Sequence, residues 1–119
     1  MDALHLGLAW LAAGSVVAVL VTAVGTAAGP LPSYRVLDVV LLAQVAATGT
    51  AALAGVAVWL TAAPPQDPLH LLYGAVAFAA PMAVRLAVQG RDPRAVGRWV
   101  ALAALVALGS TIRSFMTGS

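Results

Sequence analysis

Apolar residues run along the chain in four long blocks, at about 3 to 25, 36 to 62, 68 to 89 and 96 to 115, and the turn-forming and charged residues collect between them. Each block is near or above the roughly 20 residues that a helix needs to cross the hydrocarbon of a bilayer. The first break, Gly25 to Ser33, gathers glycine and proline outside any helical pattern. The second, Ala63 to Pro68, stops one helix and starts the next, with Asp67 and Pro68 as an N-cap and N1 pair. The third, Gln89 to Arg94, is short and charged. Pro81 falls inside the third block, where its missing backbone donor and its clash with the preceding turn predict a kink. Connections this short make successive helices antiparallel neighbours. The expected fold class is therefore all-α, an integral membrane antiparallel four-helix bundle forming a single membrane domain over 1–119, with both termini on the outer side.

Composition supports lipid as the solvent. Of 119 residues, 62% are hydrophobic and only 8% charged, with a mean hydropathy of +0.99. A water-soluble sphere of this size needs far more polar surface. The sequence holds no cysteine, which removes disulfides, thiolate metal sites, iron–sulfur clusters and cysteine nucleophiles. The start, Met1-Asp2-Ala3-Leu4-His5, lacks the basic n-region of a secretory signal, and its apolar run continues to about Val24, so it reads as a retained first span.

All six basic residues are arginine. Arg35, Arg85, Arg91, Arg94 and Arg98 lie toward the first and third connections and only Arg113 toward the other end, which predicts a cytoplasmic first and third loop in a multi-pass protein of the cell membrane. Both termini and the Pro64-Pro65 loop then face outward. Trp59 and Trp99 near span ends, and Tyr34 at the inner start of the second helix, read as interfacial anchors. Small residues recur every four positions, as in Ala47, Ala51 and Gly55 on the second helix, and Gly74 stands above Phe78 on the third, a spacing that lets helices approach closely.

Two histidines carry the main chemical signal. His5 opens the first helix and His70 the third, helices that run parallel in this topology, so both imidazoles start at a similar depth near the outer face. Two neutral imidazoles projecting inward from opposing helices are the axial ligand set of a low-spin haem. Gly74, one turn below His70, leaves room for a porphyrin edge. Arg113, counted along the fourth helix, comes level with the histidines, where a guanidinium is suited to haem propionates, and Ser110, Thr111 and Tyr73 add hydrogen-bonding capacity. The competing reading places both imidazoles at the lipid headgroups and lets Arg113 snorkel to water. Zinc or copper would be short of ligands with two histidines and neither cysteine nor glutamate.

Other polar residues have structural readings. Asp38 and Arg85 sit at the same depth on the second and third helices and are expected to form an interfacial ion pair, in preference to a proton or ion path. Gln44, Thr48 and Thr50 are expected to bond across helices or back to the backbone. No nucleophile with a base and an orienting partner, no phosphate-binding glycine loop and no nucleic-acid patch is present.

His5 before a long apolar helix, then Leu41-Leu42-Ala43-Gln44 with Gly49, then Asp67-Pro-Leu-His70-Leu-Leu-Tyr-Gly-Ala75, together resemble one four-helix half of the heme A synthase type of membrane haem protein, over roughly residues 5 to 88. That resemblance implies haem held between His5 and His70 near the outer ends of two parallel helices. The family's glutamate and arginine around the histidine are absent, since the chain has no glutamate and His5 is followed by Leu6. What is implied is therefore a small haem b protein or electron-transfer subunit rather than the synthase.

Two functions compete at this stage. One is a membrane haem-binding protein that exchanges electrons with a quinone or a larger respiratory-type complex, using His5 and His70 as iron ligands, with Arg113, Tyr73 and Gly74 around the porphyrin. The other is a non-catalytic accessory or assembly subunit, packing its small-residue faces on other membrane protein subunits or on further copies of itself. A small transporter is disfavoured by the lack of an inverted repeat or paired broken helices.

Overall fold

A computed structural model describes residues 3–29, 34–61 and 69–117. Among the described residues the chain forms four helices and no strand: α1 Ala3–Ala28, α2 Tyr34–Thr61, α3 Leu69–Ala87 and α4 Pro93–Thr117. All four are long and apolar enough to cross a membrane. The bundle measures 48 × 21 × 19 Å. Around it the helices follow one another in order, α1 packing on α2 and α4, and α3 on α4, while the α2–α3 seam is the loosest.

Side-chain contacts fix the direction of each helix. Asp38 near the start of α2 meets Arg85 near the end of α3, and Arg94 at the start of α4 donates to the carbonyl of Ala27 at the end of α1. At the opposite pole, the starts of α1 and α3 meet the ends of α2 and α4. Neighbouring helices are thus antiparallel, with an arginine pole and a histidine pole.

Helix boundaries differ from the expected ones where local signals compete. α1 continues to Ala28, past Gly25, because one glycine costs a helix only about 1 kcal/mol, and it ends just ahead of Pro30. α4 starts at Pro93 instead of 96. Asp92 takes the N-cap position and Pro93 the N1 position, and the amide of Val96 donates to the carbonyl of Asp92 at 3.0 Å. The Asp67-Pro68 cap and the Pro64-Pro65 loop lie outside the described residues.

The core is unequal along its length. One cluster joins Val19, Ala23, Leu37, Leu41, Val88, Val96, Val100 and Ala104, almost all in the arginine half. On the histidine side of Val16, Gln44, Pro81 and Ala104, the buried residues are Ala12, Thr48, Ala51, Ala77, Ala107 and Thr111. Every one of these is alanine or threonine. Gly97 brings α4 onto the backbone of α1, where a Cβ at that position would stand 2.6 Å from the amide nitrogen of Ala27.

Polar side chains within the helices bond in two ways. The hydroxyls of Thr22, Thr26, Thr48, Thr50, Thr61 and Thr111 each donate to the carbonyl four residues earlier. Gln44, fully buried, reaches across: its Nε2 donates to the carbonyl of Ala77 on α3 at 2.9 Å. Ala77 lies four residues before Pro81, so its carbonyl is the one whose helical donor proline removes. α3 runs on as helix through Pro81 with that acceptor occupied from α2.

Asp38 and Arg85 form the expected ion pair in bidentate geometry, Nε to Oδ1 at 2.7 Å and Nη2 to Oδ2 at 3.1 Å. The guanidinium also lies 4.9 Å from the ring centre of Tyr34, and the Tyr34 hydroxyl donates to the carbonyl of Arg91. Tyr34 is therefore part of a clamp joining α2, α3 and the α3–α4 turn as well as a residue near a span end. Trp59 and Trp99 are exposed.

Candidate functional site

The histidine pole is built from the first turns of α1 and α3 and the last turns of α2 and α4. α1 and α3 occupy opposite corners of the bundle, so a side chain from each has to cross the axis to meet the other. His5 and His70 do so: their ring centres are 6.3 Å apart and their planes are inclined at 80°. Both residues are half-buried. Depth sets this meeting, because each histidine lies within three residues of the start of its helix.

Each imidazole has a distinct seat. A Cβ at Gly55, near the end of α2, would come within 2.8 Å of Cε1 of His5, so the ring occupies the space a side chain there would need. His70 is held from α4, with its Nδ1 2.9 Å from the carbonyl oxygen of Ser114 and 3.2 Å from the Ser114 hydroxyl. A carbonyl only accepts, so Nδ1 carries the proton and Nε2 keeps the lone pair.

The remaining sequence candidates lie near this pair. Arg113 is on the exposed side of α4, one residue before Ser114. Tyr73 and Gly74 follow one turn along α3, both half-buried, and a Cβ at Gly74 would meet nothing within 4 Å. Thr111 is buried with its hydroxyl on the Ala107 carbonyl, and Ser110 is half-buried. The α2–α3 seam opens into an apolar groove of about 350 Å³ lined by Gly49, Ala52, Leu53, Val56 and Phe78. Phe78 fills the space over Gly49, its Cε2 standing 3.3 Å from where a Cβ there would be.

Family models, curated proteins and solved structures show no match to this chain. The chemistry of the pole therefore rests on its own geometry. Among the described residues no three histidine, aspartate or glutamate side chains gather as a metal-ligand group.

Sequence reasoning missed Ser114, and it read Gly55 only as a contact between helices. Ser114 is adjacent to the charged residue that drew attention, and the heptad-scale rotation of α4 needed to aim it at His70 leaves no compositional trace. For Gly55 a signal existed in the four-residue spacing with Ala47 and Ala51.

Proposed function

We propose that this protein is a multi-pass protein of the cell membrane that binds haem b between His5 and His70 and serves in electron transfer. The observation that carries the reading is the convergence of two imidazoles from opposite corners, 6.3 Å apart, in the half of the bundle whose buried side chains are all alanine or threonine. Iron–imidazole bonds of about 2.0–2.1 Å on each side of one metal atom put the ring centres roughly 6 Å apart. Two protein nitrogens also match what a porphyrin leaves open, since its own four nitrogens complete six-coordination.

His5 and His70 would be the axial ligands, and the Ser114 carbonyl orients one of them. The side chains enclosed on α2 and α4 near the histidines, Ala51, Ala107 and Thr111, are small, and Gly55 yields its side-chain space to the His5 ring. Arg113 would face the propionates, with Tyr73 and Gly74 along the porphyrin edge. Haem, when bound, supplies one-electron chemistry, and the protein sets its potential and its position. The arginine pole faces the cytoplasm in this reading, because five of the six arginines are there. Both termini and the haem pole then lie outward, and a quinone or a larger membrane complex is the redox partner.

The test is an absorption spectrum of protein purified in mild detergent and supplied with haemin. A Soret band with low-spin bis-imidazole character is expected, lost or strongly shifted in His5→Ala and in His70→Ala. No band in the parent protein, or the same band in His70→Ala, removes the reading.

A further inference from the structure

We infer that the carboxyl end of α4 fixes the tautomer of His70 and raises its donor strength, with Ser114 as the positioning residue. The purpose of this arrangement rests on the haem reading, but the tautomer is a property of the chain alone. The starting observation is that two oxygens of one residue flank the same ring nitrogen, the carbonyl at 2.9 Å and the hydroxyl at 3.2 Å from Nδ1.

The carbonyl decides the proton's place. Ser114 is among the last four residues of α4, whose carbonyls have no donor within the helix, so its oxygen is open to the imidazole. A lone pair on Nδ1 at that distance would face a second lone pair, whereas an N–H there makes a normal hydrogen bond. Ser114 is also in the last turn of α4, where the aligned peptide dipoles place partial negative charge. That charge stabilises the polarised N–H and pushes electron density through the ring toward Nε2. An imidazole whose remote N–H is bonded in this way is held in one orientation, with its other nitrogen left as the donor atom. If haem is bound, Nε2 would be the atom that holds the iron, and a stronger donor there would lower the reduction potential of the group.

The contact also ties the first turn of α3 to the last turn of α4. His70 thus cannot rotate its ring independently of α4, and the direction of its lone pair is set before any ligand arrives.

Nitrogen NMR of the haem-free protein labelled with ¹⁵N-histidine tests the tautomer directly, with His70→Gln assigning the signals. At a pH where the ring is neutral, Nδ1 is expected to be the protonated nitrogen of His70 and Nε2 the bare one. Ser114→Ala keeps the carbonyl and should keep that tautomer. Ser114→Asp supplies a carboxylate acceptor and should move the Nδ1 proton downfield. An Nε2–H tautomer, or an Nδ1 proton indifferent to Ser114→Asp, overturns the inference. In haem-loaded protein, the midpoint potential of Ser114→Asp should lie below that of the parent while the Soret band is retained. An unchanged potential with haem bound counts against the role of Ser114 and leaves the haem reading standing. Absence of any Soret band in the parent protein counts against haem and leaves the tautomer to the NMR result.

Discussion

Replacing Gln44 with leucine should destabilise the bundle only as long as Pro81 is present. In the native chain, Gln44 Nε2 occupies the carbonyl of Ala77, the acceptor that Pro81 strips of its helical donor. Gln44→Leu leaves that carbonyl with no donor, in surroundings where no water can substitute. A buried acceptor left without a partner costs about 1–3 kcal/mol. Part of this is offset, because Oε1 of Gln44 is itself buried without a partner and leaves with the side chain. Hydrogen bonds between membrane helices average about 0.6 kcal/mol and reach about 1.7 kcal/mol, so a net loss near 1 kcal/mol is expected. Pro81→Ala restores an N–H four residues after Ala77, and the carbonyl then has a partner within α3. In that background Gln44→Leu should be neutral or stabilising. The double-mutant coupling should therefore be about 0.6–1.7 kcal/mol. Reversible unfolding in mixed micelles, followed by the fluorescence of the three tryptophans, gives all four corners of the cycle. A coupling within about 0.3 kcal/mol of zero, the ordinary error of additivity, would refute the reasoning.

The remaining predictions address the other contacts. Gly97→Leu forces α4 away from Ala23 and Ala27 of α1, where a Cβ already comes within 2.8 Å of backbone atoms, and should cost about 1–3 kcal/mol or more in the same assay; Gly109→Ala, with nothing within 4 Å of its Cβ, is the matched control and should be neutral or mildly stabilising. Gly55→Val should displace His5 and weaken haemin binding, read by titration of the Soret band, while α-helical circular dichroism stays unchanged; unaltered binding would mean that the His5 seat plays no part in ligation. Asp38→Asn leaves the mostly buried Arg85 without its carboxylate, and because the Asp38 side chain is 44% exposed, the loss should be modest, about 1 kcal/mol. That loss should shrink when Arg85→Gln is already present.

The four spans, their antiparallel order and the Asp38–Arg85 pair were legible because each depends only on position along the chain. Long apolar runs locate the helices, and residues at equal depth on adjacent helices can be matched by counting. Helix rotation was not legible. In water, burial is written into a sequence as contrast between faces, but here Leu4, Leu53 and Leu60 point outward and are as apolar as buried Leu37 and Leu41. In helices apolar enough to cross a membrane, outward and inward faces draw on the same residue types. The Gln44–Ala77 bond, the seat of His5 on Gly55 and the hold of Ser114 on His70 all depend on that rotation. The start of α4 is a different matter. Asp92-Pro93 carries the same N-cap signal as Asp67-Pro68, but the arginines around it drew it into the expected loop, even though Arg94 caps α1 from within α4.

The inequality of the core has a consequence for how such a chain can change. Bulky aliphatic residues interlock near the arginines, while alanine and threonine alone are enclosed near the imidazoles. The aliphatic core and the paired imidazoles thus lie at opposite ends of the same helices. Substitutions at the histidine end remove little aliphatic packing, because only alanine and threonine are buried there. Selection can remodel one end of the molecule while the other keeps the four rods in register.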